Sequence, residues 1–418
     1  MTMTTTTTTT TAPAPPVGVR RLLAAPGPGI ADHERTYGPM PAVGPGIVDE
    51  LGRAGVDGRG GAGFPLARKL ATAAAGHRSG RRAPIVVANG AEGEPASRKD
   101  AVLLGRAPHL VLDGLVVAAM AVGAASAVLA TSAGLADGVR RALAERRDPV
   151  QVEVRVLQHG SFVAGEAGAL ASAVAGGPGT PGDRVVRLAE RGPSGAPTVV
   201  SNVETLAQAA LVARYGATWT RSVGSASAPG TRLVTVSDVR DPATAVVLEV
   251  AGGTVLGEVI RASRPTAAPG RTRAVLLGGW GGTWVPAAAL DATFDAAGLG
   301  PWGASPGAGV VALLDDATCP VTVSARIAGA LAGASSGRCG PCVNGLPRIA
   351  DVLTALAAGG HGADLVGEVR RVASLVAGRG ACHHPDGVAR MVRSALSVFH
   401  EDVQAHLAGS CSVRGGVR

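Results

Sequence analysis

Lysine is nearly missing from this 418-residue chain: Lys69 and Lys99 stand alone among 39 cationic residues, the rest being arginine. An ammonium is a compact point charge and a guanidinium a planar fork, so the two do not exchange freely. The simplest expectation is that both lysines lie beside a bound anion. Aromatic residues make up only 2% of the chain, its arginines are scattered, and base-stacking rings are almost absent. The formal charge of +8 therefore does not indicate a nucleic-acid binder. Five cysteines (319, 339, 342, 382 and 411) are too few and too unevenly spaced for a secreted disulfide scaffold. The threonine-rich N-terminus lacks the basic start and apolar core of a secretory signal. Residues 1–30 read as a disordered tail, and a cytoplasmic protein is expected, at most peripheral at the inner face of a membrane. Residues 114–136 carry no charge, but Gly123 divides them; a buried helix over 108–122 and a core strand over 126–131 fit better than a membrane span.

Apolar residues are 46% of the chain against 17% charged, enough for large cores built mainly of Ala, Val and Leu. Residues 31–228 alternate helical patterns with short apolar strands at 84–88, 127–130 and 152–156, which predicts an α/β layer domain. A small-residue linker covers 222–230. Strand, strand, helix and strand follow at 232–237, 245–250, 254–261 and 274–277, suggesting a β-grasp-like module over 229–306. From 307 to 410 helical spacing dominates, with helices expected over 320–334, 342–358, 362–377 and 385–407.

Several motifs carry chemistry. Gly58-Arg59-Gly60-Gly61-Ala62-Gly63 lets main-chain amides approach a phosphate, and a helix over 65–76 would point its positive end, with Lys69, at the anion. The spacing is neither the Walker nor the dinucleotide fingerprint, and an ordinary glycine-rich turn is the plain alternative. Asn89, Glu92 and Glu94 follow an apolar strand, where open α/β sheets bind ligands; a solvated acidic turn would read the same way. Gly165-Glu166 and Ser201-Asn202 occupy similar strand-to-loop positions. Cys339-Gly-Pro-Cys342 and Cys382, followed by His383-His384, offer three thiols to a metal. Zinc with three Cys and one His, an iron–sulfur cluster, a redox pair and unbound buried thiols all remain open on spacing alone.

Taken in order, these motifs resemble the flavin-carrying F subunit of bacterial NADH–quinone oxidoreductase, over about residues 40–408. The glycine loop from Gly58 to Lys69, Asn89-x-x-Glu92-x-Glu94-Pro95 with Lys99-Asp100, Gly165-Glu166, and Pro197 to Leu206 all match the family pattern. The resemblance implies an FMN/NADH-binding α/β domain, a soluble-ligand-binding β-grasp (SLBB-like) module and a helical domain carrying a 4Fe–4S cluster. It implies that Gly58, Arg59, Gly60, Gly61, Gly63 and Lys69 hold the FMN phosphate. Asn89 and Asn202 would position the flavin, with Glu92, Gly165 and Glu166 shaping its pocket. Glu94 would sit at the nicotinamide face as the catalytic residue. Cys339, Cys342 and Cys382 would ligate the cluster. Hydride would pass from NAD(P)H to the flavin, and single electrons to the cluster and on to a ferredoxin-like or membrane redox partner.

The chain departs from the family at its cluster, flavin and nucleotide motifs. The first cluster cysteine is Ser336, whose hydroxyl gives up its proton far more reluctantly than a thiol, so the fourth ligand is unassigned; Cys411 and His383 are candidates. Ala91 replaces an aspartate and Ala167 a glutamate. Ser201 stands where the family has the first of two asparagines. Neither Leu70-Ala71 nor 183–196 supplies the rings that hold adenine in the family. Stacking is worth about 1–3 kcal/mol per base, so NADH binding is expected to weaken by roughly one to four decades. FMN is thus the firmer expectation and NAD(H) the weaker. A scaffold or electron-transfer subunit that no longer oxidises NADH is the alternative.

Overall fold

Alternating apolar strands and helices between Ile30 and Arg221 build a parallel sheet wrapped by helices in this computed structural model. It describes residues 20–413 except 41, 45, 80–81, 158–161, 183–185, 264–271 and 361–363. In chain order the first unit is α1 (Ile30–Tyr37), α2 (Ile47–Ala54), α3 (Leu66–Arg78), β1 (Ile85–Gly90), α4 (Lys99–Arg106), α5 (Pro108–Val122), β2 (Ser126–Thr131), α6 (Ala133–Ala144), β3 (Gln151–Val156), α7 (Ala167–Val174), β4 (Thr198–Asn202) and α8 (Val203–Arg221). The four strands run parallel in the order β3-β2-β1-β4. The chain steps outward from β1 to β3, then returns to the far side of β1. That reversal makes the crevice between the carboxyl ends of β1 and β4 a topological switch point, the usual ligand position in such sheets. Asn89 and Asn202 are register partners at that end.

Helix α5 is apolar and buried along nearly its whole length. Its Gly114 lies so close to α8 that an added Cβ would sit 1.8 Å from the Leu206 carbonyl oxygen, so the crossing requires glycine. Among the described residues no single helix is long and apolar enough to cross a membrane. Only the α4–α5 pair together reaches that length and hydropathy, and it bends by 97°.

The second unit comprises β5 (Thr231–Asp238), β6 (Val246–Ala251), α9 (Leu256–Ser263), β7 (Thr272–Leu277), β8 (Thr283–Pro286), α10 (Ala296–Leu299) and β9 (Val310–Asp315). Its sheet order is β6-β5-β9-β7-β8, with β9 parallel to β5. The expected end at residue 306 is therefore too early, because the central strand β9 lies beyond it. A preceding glycine-rich stretch hides that strand from a pattern search.

The remaining helices are α11 (Pro320–Gly333), α12 (Leu346–Ala357), α13 (Leu365–Val376), α14 (His384–Val398) and α15 (His400–Leu407). The single helix expected over 385–407 breaks at Phe399, which is buried in the bundle core. The helix expected from 342 opens instead as a π-helical turn, Pro341–Gly345.

The tail expected over 1–30 is corrected at 20–30, which is ordered against the fold; residues 1–19 lie outside the described ones. Leu22 is fully buried, and the N–H groups of Arg21, Leu22 and Leu23 donate to the Glu249 carboxylate on β6.

Candidate functional site

The Gly58–Phe64 loop connects α2 to α3 at the switch point. Gly58 N–H donates to the Phe64 carbonyl at 3.1 Å and Arg59 N–H to Thr205 Oγ1 at 2.9 Å, which pins the loop to the start of α8. Gly61 (φ 110°) and Gly63 (φ 64°) hold backbone conformations that side chains disfavour. Gly60 comes so close to Asn202 that an added Cβ would stand 3.5 Å from the asparagine Cβ. Among the described residues the N–H groups of residues 60–63 meet no protein acceptor.

Lys69, in the first turns of α3, reaches across to β4 and donates to the Val200 carbonyl, at the middle of the strand, at 3.0 Å. Burial lowers its pKa, and among the described residues no carboxylate pairs with it. A largely desolvated ammonium without a counter-charge, beside free amides, is a place for an anion. Behind the loop, Arg59 and Arg232 add positive charge. The Nε atoms of both are buried without a hydrogen-bond partner, and burial followed by the Arg59 charge pushes Arg232 down to about 9.

Lys99 corrects the expectation that both lysines face an anion. Its side chain is 2% exposed, 2.6 Å from Asp100 Oδ1, 3.1 Å from Glu204 Oε2 and 2.9 Å from Asn202 Oδ1. The ammonium is already neutralised. It braces the floor of the crevice by fixing Asn202, whose amide donates to Asp100 Oδ2 (2.7 Å) and to the Asn89 carbonyl (3.3 Å). Sequence reasoning passed over Asp100 and Glu204 as ligands of Lys99. The Lys-Asp pair was a signal for one, but the partnership with Glu204 spans too much chain to be visible.

Asn89 donates to the Gly165 carbonyl at 2.8 Å and so ties the end of β1 to the loop before α7. Glu92 adopts a positive φ of 43°, uncommon for a residue with a side chain. Its oxygens accept from Asp100 N–H (2.8 Å), Ala101 N–H (3.0 Å) and Ser97 Oγ (2.8 Å), capping α4. Glu166 caps α7 through the Ala169 N–H at 2.9 Å. These two carboxylates shape the wall by holding helix starts in place.

Glu94 lies where the first two units meet. It accepts from Ala96 N–H (3.2 Å) and Trp280 N–H (3.1 Å). Burial pushes its pKa up to about 7 against those two hydrogen bonds. Nothing local in the sequence signals Trp280, whose indole nitrogen is buried and unpartnered.

In the helical unit Cys339 and Cys342 bring their sulfurs to 3.6 Å. Cys342 is pushed up to about 11 by burial, by its bond to Cys339 and by the charges of Cys339 and Cys382. Cys339 and Cys342 thus pair at the π-helical turn, a distortion often found at functional sites, with Cys382 close enough to act on Cys342 electrostatically. Ser335, the neighbour of Ser336, places its hydroxyl against Cys342. His383 is exposed and pairs with Asp386 at 3.0 Å. Cys411 lies in a separate group with Cys319 and His406, so it is not the missing fourth ligand of the three thiols.

A sequence profile described as the Nuo51 FMN-binding domain matches residues 51–211. A second, the NADH-ubiquinone oxidoreductase-F iron-sulfur binding region, matches 322–406. The NADH-quinone oxidoreductase F subunit numbered 2 in Rhizobium meliloti (strain 1021) is 30% identical over 379 residues, covering 86% of this chain and 88% of that protein.

The chain belongs to the family of NADH-quinone oxidoreductase F subunits.

The corresponding protein of Escherichia coli (strain K12) is 27% identical, covering 86% of this chain and 84% of that one. Among solved structures, an NAD+-reducing [NiFe]-hydrogenase in the H2-reduced state superimposes with a TM-score of 0.77 at 30% identity, over 87% of this chain. The chain spans 63% of that hydrogenase chain. As a member of its family it carries an FMN-binding domain and a 4Fe–4S binding region, and its chemistry is flavin-dependent electron transfer of the NADH dehydrogenase type.

The residues present fit FMN: loop amides without a described protein acceptor lie beside two amide side chains at one sheet end, and an ammonium without a described carboxylate partner stands on the adjoining α3. For the cluster the fit is three thiolates, with serine where a fourth would stand.

Proposed function

We propose that the crevice between β1 and β4 holds FMN with its phosphate on the residue 60–63 amides and Lys69. The observation that carries this reading is Lys69: a half-buried ammonium, lacking any described carboxylate partner, held against β4 through the Val200 carbonyl. Arg59, 4.0 Å from the Glu204 carboxylate, stands behind the loop. Asn89 and Asn202, braced by Gly165, Asp100 and Lys99, orient the ligand, while Glu92 and Glu166 hold the wall through the helices they cap. Bound FMN would supply hydride acceptance from NADH and release of single electrons to the cluster. Glu94, titrating near neutrality, holds or releases a proton at its carboxyl oxygen beside the nicotinamide position.

Cys339, Cys342 and Cys382 would hold the iron–sulfur cluster, and the sheet of β5–β9 would be the SLBB-like module. The electron-transfer partner would be ferredoxin-like or a membrane redox protein, met by a peripheral, cytoplasmic subunit. The open groove lined by Arg370, Arg393 and His400 on the bundle suits an acidic partner.

The direct test is the visible spectrum of anaerobically purified protein, before and after Lys69→Gln. Flavin bands present in the parent and lost in the variant support the reading. A colourless parent that takes up no added FMN overturns it.

One observation favours a second reading, a subunit that transfers electrons but no longer oxidises NADH. Leu70 is fully buried in the core, Ala71 is exposed, and described residues 186–196 hold no ring, so the expected adenine platforms are missing. An NADH–ferricyanide assay on reconstituted protein decides: flavin present without NADH bleaching selects this second reading.

A further inference from the structure

Cys319, His406 and Cys411 take no part in flavin or cluster binding, yet their ligand atoms all lie within 4.8 Å of one another. Cys319 Sγ and His406 Nε2 are 3.2 Å apart, and both residues are buried, at 8% and 5% exposure. We propose that these three residues form a second metal site, taking one borderline-soft divalent cation of the zinc class through two thiolates and one imidazole.

The donor set suits such an ion. Zinc–sulfur and zinc–nitrogen distances at a tetrahedral angle put sulfur and nitrogen about 3.6 Å apart, close to the spacing found here. Each donor is also held by its own local structure. Cys319 is the N-cap of α11, and its sulfur accepts the Thr322 N–H at 3.5 Å, which fixes it at the start of a 14-residue helix. His406 lies in the last turn of α15. Gly409, at φ 75°, reverses the chain there, with its N–H on the His406 carbonyl at 3.0 Å and Ser410 N–H on Ala405 at 2.9 Å. The reversal carries Cys411 back over His406. The next residue, Ser412, donates to Asp402, which is buried and also paired with Arg273. Cys411 is therefore anchored on both sides and remains partly exposed, which leaves an ion a way in. Three protein donors leave a fourth position for water. On binding, the thiols give up their protons to solvent and no electrons move.

The site is separate from the three-thiol cluster. Helix α11 is about 20 Å long at 1.5 Å per residue. Cys319 is at its start, whereas His384, two residues after Cys382, packs against its far end through the Leu331 carbonyl at 2.7 Å. An ion at the near end would staple the segment after α15 to the start of α11.

The test uses the full chain with iron and sulfide reconstituted, then loaded with zinc and desalted. Zinc-edge X-ray absorption reports the zinc donors without interference from iron. One zinc per chain bound by two sulfurs and a histidine nitrogen supports the proposal. Cys319→Ser with Cys411→Ser should lose the zinc while the iron–sulfur absorption stays unchanged. Zinc held by sulfur alone would place it at Cys339, Cys342 and Cys382 and overturn the assignment. So would a parent that retains no zinc, or intact-mass evidence of a Cys319–Cys411 disulfide in anaerobic protein. The parent spectrum decides even where the double variant does not fold.

Discussion

The main-chain N–H of Trp280 donates to Glu94 Oε1 at 3.1 Å, across 186 positions of chain. The residue before it, Gly279, has φ 114°, and an added Cβ would stand 2.3 Å from Glu94 Oε2. A glycine turn of the second sheet therefore closes directly over the carboxylate of the first. The contact withholds water from Glu94, which is why its pKa rises to about 7 from an ordinary 4.5. Between those values the folded state binds more protons than the unfolded one, so this group's contribution to stability falls as pH rises through the window. Glu94→Gln removes the charge and keeps an oxygen to accept the Trp280 N–H. Its melting temperature should match the parent near pH 4.5, exceed it increasingly towards pH 7, and hold a constant lead at higher pH. A gap that does not change with pH would refute the assignment.

The two lysines should separate cleanly in experiment. Lys99→Gln leaves Asp100 and Glu204 buried without their counter-charge, and breaking such a pair costs about 3–5 kcal/mol. Lys69→Gln removes an uncompensated ammonium and should leave stability unchanged or higher, while FMN affinity falls at least about tenfold, the equivalent of 1.4 kcal/mol. Denaturant titration and flavin fluorescence read the two effects. Equal destabilisation by both changes would remove the distinction.

How much of this was legible beforehand follows from the range of each interaction. The strands and helices around the crevice repeat with local periods, so β1, α5 and β2 are found close to where the residues put them. Asn89 and Asn202 were readable as a pair of strand ends, since each closes an apolar run. Lys99 misled because it was read from the rarity of lysine alone, and only the fold reveals Glu204 at 3.1 Å. Strand β9 was missed because β-pairing is non-local: in the register its partners on β5 lie 75 residues away and those on β7 at least 34. Trp280 and Ser335 escaped for the same reason, since their importance lies in what folding brings to them.

The cluster makes a sharp prediction about sulfur number. Cys339→Ser, Cys342→Ser and Cys382→Ser should each abolish the iron–sulfur absorption, because Cys339 and Cys342 pair in the fold and Cys382 lies within electrostatic range of them. His383→Ala should leave it intact, as that ring is exposed and held by Asp386. Ser336→Cys restores the family's spacing and should raise iron retention during chelator challenge. Iron and sulfide analysis checks all five variants; a cluster that survives loss of Cys382 would show that the thiols are assigned wrongly.

The last prediction concerns the entry of the chain into the first domain. Glu249 Oε1 accepts the N–H groups of Arg21 and Leu22, both at 2.8 Å, and Oε2 accepts that of Leu23 at 3.1 Å. Thr231 Oγ1 donates to the same carboxylate at 2.6 Å. Three successive amides thus depend on one side chain, which burial holds above its usual pKa. Glu249→Ala strands those donors, each costing about 1–3 kcal/mol when buried without a partner. The segment can avoid that cost by detaching into water, taking Leu22 out of the core. Hydrogen exchange at residues 21–23 should therefore accelerate far more than in β1, and trypsin should cut at Arg20 or Arg21 in the folded variant. Uniform acceleration across the domain would instead mean that Glu249 supports the whole fold and not the docking of this segment.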